Sequence, residues 1–393
     1  MIVCLSLNIE YGYAGIPNFG RAFAVLVGAF AVGGVANRVL MLIFGISDGI
    51  IEGSASVKSA MNEIMARNPA VAILFLLGTL CIAAILGAVL GAIFILPSAR
   101  LSEHYLAIAL LAISEVSYMV CYYNPDIIGG YYGVSTPDPL LFFQGEQRLL
   151  AFSVLTLSIA MLLYGIVSKM LNSPFGRLLK AMREDEAVVE ACGKDVMLLR
   201  VKACAVGSSI AAISGALYAF YTTNVIASSF NRAEWTFYPF LIIILGGLGS
   251  TNGVVAGVFL FVVVRVLLTT YKWELKSALH LPFEAVWLEY MIFGVLMLLV
   301  LIFKPEGLLR EKPTMTKPIR EAVKRTGKGA SRQLPPQHTG TPESRHKAEK
   351  KEEDSAENEM NGEGMKSLYI KFRFFSDTKE IENIKKSIQW RLV

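Results

Sequence analysis

Apolar runs of about 20 residues recur along this chain of 393 residues, and each is long enough to cross a lipid bilayer as a helix. Hydrophobic residues make up 54% of the composition and charged residues only 18%, below the roughly 25% usual in soluble domains. Backbone polar groups in lipid must be satisfied within the protein, which favours helices. The sequence therefore predicts an all-α, polytopic transmembrane bundle of about eight spans. The predicted spans are 1–12, 19–44, 70–96, 103–123, 148–172, 203–223, 236–271 (interrupted) and 287–304.

Lysine and arginine are concentrated in connections that follow every second span. They cluster in 169–202, occur in the turn at 97–102, and follow the last span at Lys304, Arg310 and Lys312. By the positive-inside rule, these connections are expected to be cytoplasmic. The prediction is a multi-pass protein of the plasma or inner membrane with a cytoplasmic C-terminal tail. The segments that then fall outside are 45–69, 124–147 and 272–286.

The stretch FLIIILGGLGSTNGVVAGVFLF, residues 240–261, is predicted to be a re-entrant segment broken at its glycines. The span 203–223 ends outside and the span 287–304 starts outside, so the intervening chain has to enter the membrane and return. Non-helical backbone at membrane depth is tolerated only where protein buries it or where it lines a polar cavity. The glycines of GYAG, residues 12–15, offer a second break. The candidate residues of a substrate path are Asn8, Tyr11, Gly12, Gly15, Asn18, Gly247 and Gly249.

Four ionisable residues fall within the predicted spans, where such groups usually have a function. Glu10 is expected either to line the path or to lie near the surface of a truncated first span. Arg21 is placed at the start of the second span. Glu115 and Arg265 are expected to pair across helices and hold the bundle together.

The charged stretch SPFGRLLKAMREDEAVVEACGKD, residues 173–195, interrupts two apolar runs and predicts one helix over 174–193. Ser173 is suited to the N-cap, Pro174 to the first helical position and Gly193 to the position after the C-cap. Apolar residues recur on one face and charged residues cover the rest. The helix is expected either to anchor a loop at the membrane surface or to dock a cytoplasmic partner. The mixed signs of REDE, residues 183–186, favour a protein partner.

The stretch from Ser173 to Phe220 resembles the permease subunits of branched-chain amino acid ABC importers. Three other stretches agree in order: LSLNIEYGYAGIPNFG (5–20), RLSEHYLAIALLAISEV (100–116) and LGGLGSTNGVVAGVFL (245–260). The last span ends as members do, with GVLMLLVLIFKPEGLL (294–309), so that the resemblance covers about residues 1–310. It implies that 174–193 is a coupling helix that docks on a separate ATP-binding subunit.

The resemblance also implies which residues carry the coupling and which partners assemble. A second homologous permease chain, or a copy of this one, and an external solute-binding protein are expected. The family commonly has Ser-Leu-Gly-His where this chain has Asn18, Phe19, Gly20 and Arg21. The residues of the implied coupling helix are Phe175, Gly176, Arg177, Lys180, Met182, Arg183, Glu184, Asp185, Glu186, Glu190 and Gly193.

No enzyme motif accompanies this pattern. The stretch RTGKGAS, residues 325–331, lacks the spacing and the strand–helix setting of a phosphate-binding loop, so ATP would act through a partner. No catalytic triad, paired histidines or metal-ligand spacing is present, so neither catalysis nor a cofactor is expected. An ion-coupled secondary transporter remains the alternative, because such proteins also use broken helices.

The tail differs in composition from the rest of the chain. Residues 310–393 carry 19 Lys or Arg against 13 Asp or Glu, whereas the preceding residues carry 18 against 19. Residues 313–365 are predicted to be a disordered linker and 366–393 a small appendage. The amphipathic stretch 377–391 is expected either to rest on membrane lipid or to be part of a loosely folded appendage, and nucleic-acid binding is not expected.

Overall fold

The computed structural model describes residues 1–98, 100–278, 285–303 and 307–309, and the structure is almost entirely helical. Asn8–Tyr13, Ala31–Ala36 and Ala233–Phe237 are π-helical turns. The helices are α1 (Ile2–Leu7), α2 (Arg21–Phe30), α3 (Asn37–Phe44), α4 (Ile50–Arg67), α5 (Pro69–Ile95), α6 (Glu103–Tyr123), α7 (Pro125–Ile128), α8 (Glu146–Leu171), α9 (Pro174–Glu184), α10 (Glu186–Ala191), α11 (Val196–Thr222), α12 (Tyr238–Gly246), α13 (Thr251–Ala278) and α14 (Ala285–Phe303). Strands β1 (Val134–Ser135) and β2 (Asn224–Val225) form an antiparallel pair.

Six stretches of helix in the described residues are long and apolar enough to cross a membrane, which confirms the prediction of an all-α polytopic bundle. The interruption predicted between 236 and 271 is confirmed as well, because α12 ends at Gly246 and α13 begins at Thr251. The helices α1 and α12 are too short to cross a bilayer alone, so the estimate of about eight spans is approximate. The six stretches are Arg21–Phe44, Pro69–Ile95, His104–Tyr123, Glu146–Leu171, Val196–Thr222 and Thr251–Tyr271. The predicted linker 313–365 and appendage 366–393 lie outside the described residues and remain predictions.

The helix α4 was not predicted and marks one end of the bundle, called here the α4 end. Val57, Met61 and Met65 are buried at four-residue spacing, and they pack with Leu40 and Met41 of α3. Serine, lysine and asparagine side chains of α4 bind the backbone of the connections around β1 and β2, as in the 3.2 Å hydrogen bond from Lys58 Nζ to the Thr223 carbonyl. The opposite end carries α9 and α10 and is called the α9–α10 end.

Small residues let α11 pack closely against α2 and α5 in the centre of the bundle. A Cβ atom at Gly28 of α2 would lie 1.8 Å from the Ala212 carbonyl oxygen, and one at Gly215 would lie 1.8 Å from the Val25 carbonyl oxygen. On α5, a Cβ atom at Gly87 would lie 2.7 Å from the Ser208 carbonyl oxygen. A Cβ atom at Gly91, one turn further along α5, would lie 2.4 Å from Ser208 Cβ, so both glycines serve close packing of α5 on α11.

Gly87→Val is expected to destabilise the bundle by about 1–3 kcal/mol, because the added methyl groups must push α5 away from α11. Gly78→Val on the same helix is the matched control, since nothing lies within 4 Å of a Cβ atom at Gly78. The apparent melting temperature in mild detergent, followed by size-exclusion chromatography, should fall in Gly87→Val alone. Equal melting temperatures for the two variants would contradict the close packing.

Candidate functional site

The connection from α8 to α9 is a tight turn with the cap that the sequence predicts. Ser173 Oγ accepts a 3.3 Å hydrogen bond from the Phe175 amide, and Pro174 occupies the first helical position. A Cβ atom at Gly176 would lie 2.0 Å from the Leu171 carbonyl oxygen, so this position has to be glycine. The start of α9 is thereby held against the end of the span α8.

The single helix predicted over 174–193 is wrong, because the chain breaks at Asp185. Asp185 is extended (φ −157°, ψ 110°), and its Oδ1 accepts hydrogen bonds from the amides of Ala187 (2.9 Å) and Val188 (3.3 Å). An aspartate that caps the following turn competes with continuation of the preceding helix. Gly193 has a φ of 74°, as the prediction of a C-terminal stop requires. The element is therefore two short helices with a fixed bend.

One face of α9–α10 is buried in the bundle and the other is exposed. Leu179, Met182 and Val189 are buried, whereas Val188 is 57% exposed. Of the predicted coupling residues, those buried or half-buried are Phe175, Gly176, Lys180, Met182, Arg183 and Glu186. Those exposed are Arg177, Glu184, Asp185, Glu190 and Gly193.

The inner face of α9 contacts the π-helical turn that follows α1. Arg183 Nη1 donates a hydrogen bond to the Gly12 carbonyl. The Arg183 stem packs on Gly15, where a Cβ atom would lie 2.9 Å from Arg183 Cγ. Lys180 Nζ lies 4.9 Å from the centroid of the Tyr13 ring, a cation–π distance. A coupling residue and two path candidates are thus in direct contact, which their sequence separation gave no reason to expect.

A buried arginine holds α10 against the bundle. It was not among the site residues predicted from the sequence. Arg200 of α11 forms an ion pair with Glu186 at the start of α10. Its Nη1 also donates a 3.0 Å hydrogen bond to the Leu101 carbonyl in the connection between α5 and α6. Its position in the first turns of α11, on the apolar face, was the available signal. Arg200 therefore links α10 to the span α11 and to the connection between α5 and α6.

The two segments broken at glycines, 12–15 and 246–249, meet beside the hydrogen bond between Arg183 and Gly12. Asn8 Oδ1 accepts a 3.2 Å hydrogen bond from the Gly249 amide, and a Cβ atom at Gly12 would lie 2.8 Å from the Gly249 nitrogen. Gly247 has a φ of 112° and lies against Gly307. The path candidates on these two segments therefore come together as a packed contact, called here the glycine junction (Asn8, Gly12, Gly247 and Gly249).

A fully buried ion pair lies next to the glycine junction. Arg21 Nη2 is 2.5 Å from Glu10 Oε2, and both side chains are 0% exposed. Asn18 Nδ2 donates a 2.8 Å hydrogen bond to the same Glu10 oxygen. A Cβ atom at Gly207 would lie 2.0 Å from Glu10 Oε1, so α11 leaves room for the carboxylate. This network fixes the chain on both sides of the turn between α1 and α2.

The expected pairing of Glu115 with Arg265 is wrong, because both residues pair with the connection before α12. Glu115 Oε2 lies 3.1 Å from Arg232 Nε, and Arg265 Nη2 lies 3.8 Å from Glu234 Oε1. The predicted span boundaries left 224–235 as a connection, so its charges were not expected to pair with intramembrane residues. The connection is instead packed against α6 and α13 through these two ion pairs.

Charged residues also fasten the α4 end. Arg148 Nε lies 2.6 Å from Asp138 Oδ2, and Arg148 Nη2 donates a 3.2 Å hydrogen bond to the Phe220 carbonyl. Partial burial lowers the pKa of Lys58 from its usual value, and Arg148 lowers it further while the Asp138 carboxylate opposes the shift. Ion pairs and hydrogen bonds therefore stabilise the α4 end around the start of α8 and the last turn of α11.

The residues of the chain that the structure describes hold no group of three His, Cys, Asp or Glu side chains placed to ligate a metal ion. Among them, Cys4 and Cys204 are buried and Cys81 and Cys192 are exposed, all as free thiols. The geometry of the site is therefore one of packing and ion pairs between helices.

Comparison with known proteins places the sequence in a family. The family described as "Branched-chain amino acid transport system / permease component" matches residues 1–301. The chain belongs to this permease family. Its sequence is 56% identical over 322 residues to the "Probable branched-chain amino acid transport permease protein LivM" of Methanocaldococcus jannaschii, covering 82% of this chain and 93% of that protein.

A more distant relative is the "High-affinity branched-chain amino acid transport system permease protein LivM" of Escherichia coli. The two are 28% identical over 263 residues, which is 60% of this chain and 57% of that protein. No solved structure matches this permease. The family and the six apolar helices among the described residues together make the chain a multi-pass membrane transport permease.

Proposed function

We propose that this chain is the membrane-spanning subunit of an ATP-driven ABC importer that moves branched-chain or related amino acids into the cytoplasm. The observation that carries the proposal is the α9–α10 element, whose exposed face is available to a partner while its inner face holds the Gly12 carbonyl through Arg183. The names of the relatives support the substrate class. ATP hydrolysis takes place on a separate subunit.

In this proposal, the ATP-binding subunit docks on the exposed face of α9–α10. The element exposes Val188 of α10 together with Arg177, Glu184 and Glu190, so it offers an apolar anchor and charges of both signs. Apolar anchors contribute most of the binding energy at interfaces, and charges around them set orientation. The bend at Asp185 gives the face a fixed shape that a groove can recognise.

Movement of the docked subunit is transmitted inward through two contacts. A displacement of Arg183 is passed to Gly12 and through it to the glycine junction. Helices end at this junction, so its backbone can rearrange without breaking a continuous helix. Arg200 carries the movement of α10 through Glu186 to α11, the central helix of the bundle. Rigid helices joined by irregular hinges are the usual parts of a two-state transport cycle.

The other partners follow from the proposed role. A second homologous permease chain, or a copy of this one, would complete the pathway across the membrane. An external solute-binding protein would deliver the amino acid at the α4 end. The lysines and arginines of 169–202 support a cytoplasmic position for the α9–α10 end, and the surrounding helices contact membrane lipid.

An ion-coupled secondary transporter is the second candidate, and one observation favours it. Two broken helices meet near a buried carboxylate, Glu10, and ion-coupled transporters bind ions at sites of this kind. The importer is preferred because the exposed, two-helix α9–α10 element is suited to docking a protein partner, which ion coupling does not require. Whether uptake of the solute requires ATP distinguishes the importer from the ion-coupled transporter.

Co-purification of the ATP-binding subunit tests the docking. Arg177→Glu/Val188→Glu is expected to reduce the bound ATPase by about tenfold or more, because it removes the apolar anchor and reverses an exposed charge on the same α9–α10 element. Ile64→Glu/Arg67→Glu makes the same chemical change on exposed positions of α4, at the opposite end of the bundle. This control should retain the ATPase.

Two results would contradict the docking. One is full retention of the ATPase by Arg177→Glu/Val188→Glu, and the other is the absence of any ATPase from the folded wild-type chain. Each variant is checked for a monodisperse size-exclusion peak before the comparison, so that unfolding is not scored as lost binding.

A further inference from the structure

A cavity of about 370 Å³ lies between α1, α8, α11, α12 and α13. It is nearer the α4 end, because its lining includes Phe152 from the second turn of α8 and Tyr221 from the last turn of α11. Leu217, Ile242 and Phe261 form an apolar wall. The volume falls in the range of about 300–1,000 Å³ typical of small-molecule sites. The cavity is large enough for a small solute and is lined by residues outside the glycine junction.

One edge of this cavity is charged. Glu234 and Arg265 both line it, and Arg265 Nη2 lies 3.8 Å from Glu234 Oε1. Their side chains are 39% and 44% exposed, so both charged groups are accessible. The Arg265 guanidinium lies 5.4 Å from the centroid of the Tyr238 ring, and Trp235 completes this edge. Glu234 and Trp235 belong to a π-helical turn, an irregularity that is frequent at functional sites.

A carboxylate and a guanidinium beside an apolar wall match the chemistry of an α-amino acid with an apolar side chain. The ligand carboxylate pairs with Arg265 and the ligand ammonium with Glu234, so neither ligand charge is buried without a partner. The apolar wall receives the side chain, which contributes through removal of its surface from water.

We infer that this cavity is a binding site for a zwitterionic amino acid with an apolar side chain on its way through the permease. Arg265 recognises the carboxylate and Glu234 the ammonium group. The inference rests on the proposed import function and adds to it a site within the permease itself. Selection would then be made twice, first by the solute-binding protein and again by the membrane subunit.

The competing explanation is that Glu234 and Arg265 only hold the connection before α12 against α13. The Glu115–Arg232 ion pair provides the matched control, because it anchors the same connection to α6 and its arginine is 47% exposed. A purely structural role predicts similar effects of neutralising either arginine. A binding role predicts that only Arg265 affects ligand recognition.

The test uses Trp235 as the reporter, because it lies in the cavity wall. Purified full-length chain in mild detergent is titrated with leucine, with leucinamide, which lacks the carboxylate, and with 4-methylpentanoate, which lacks the ammonium group. The signal assigned to the site is the change in fluorescence that disappears in Trp235→Phe. Wild type and Arg232→Gln are expected to bind leucine about tenfold or more tightly than either analogue.

Arg265→Gln is expected to bind leucine about tenfold more weakly and to lose its preference for leucine over leucinamide. Glu234→Gln is expected to lose the preference for leucine over 4-methylpentanoate. Arg265→Lys keeps the positive charge and should keep part of the preference, so the result does not depend on a single variant. All variants are first compared by size-exclusion profile.

The inference is overturned if wild type shows no Trp235-dependent change with leucine, or if Arg265→Gln and Arg232→Gln titrate alike. The titration needs no ATPase. A wild type that binds leucine but shows no ATP-driven uptake would therefore count against the import role and leave the site supported. Uptake by wild type together with unaltered ligand preference in Arg265→Gln would count against the site alone.

Discussion

Glu10→Gln is expected to lower the free energy of unfolding by about 3–5 kcal/mol, the cost of leaving one charge of a buried pair without its partner. Arg21 lies 2.5 Å from Glu10, and neither side chain is exposed. Glutamine keeps the size of the side chain and its contact with Asn18, so the loss isolates the missing negative charge. The apparent melting temperature in detergent measures the effect.

Two further variants show whether burial is the cause. Glu63→Gln removes the same charge from the exposed Arg67–Glu63 pair, whose side chains are 75% and 67% exposed, and should cost under about 1 kcal/mol. Glu10→Gln/Arg21→Gln leaves no unpaired charge and should recover part of the stability lost in Glu10→Gln. If Glu10→Gln and Glu63→Gln melt at the same temperature, the buried pair does not hold this part of the bundle together.

Arg183→Met is expected to reduce ATP-driven uptake by about 10- to 100-fold while the ATP-binding subunit remains bound. Methionine keeps an apolar stem against Gly15 but cannot donate to the Gly12 carbonyl, the contact proposed to carry movement inward. Uptake into proteoliposomes is measured together with ATP hydrolysis and with the amount of ATPase in the complex.

Arg177→Met is the comparison, because Arg177 is an exposed arginine on the same helix. It is expected to weaken ATPase binding, with uptake per bound ATPase unchanged. The two variants should therefore separate docking from transmission. A loss of bound ATPase in Arg183→Met, or normal uptake in that variant, would show that the Gly12 contact does not transmit the movement.

Features that depend on local sequence were predicted well. Hydropathy located the spans because a bilayer imposes a minimum apolar length, and the glycines of 246–249 indicated the break between α12 and α13. The cap at Ser173 and the stop at Gly193 were also found, since both depend on the preferences of single residues.

Features that depend on competition between local preferences were missed. Asp185 was assigned to a helix interior, although aspartate is also a strong N-cap, and the structure uses it to start α10. The buried series Val57, Met61 and Met65 in α4 had helical spacing, but the surrounding polar residues were interpreted as a connection between spans.

Contacts between distant parts of the chain could not be inferred from a single sequence. Nothing in the spacing joins Arg183 to Gly12 or Arg200 to Glu186 and Leu101. The choice of Glu234 rather than Glu115 as the partner of Arg265 depends on how the connection before α12 folds back. The proposed mechanism depends on these contacts. Several residues of the site were named from the sequence, but the contacts between them are seen only in the structure.

ATP dependence of leucine uptake is the most direct test of the importer proposal. Proteoliposomes that contain the full-length chain with its ATP-binding, permease and solute-binding partners are loaded with ATP or with a non-hydrolysable analogue, each with and without an ionophore that collapses ion gradients. Uptake that requires hydrolysable ATP and is unaffected by the ionophore is the predicted result. Uptake that persists with the analogue and is abolished by the ionophore would contradict the importer and establish ion coupling in its place.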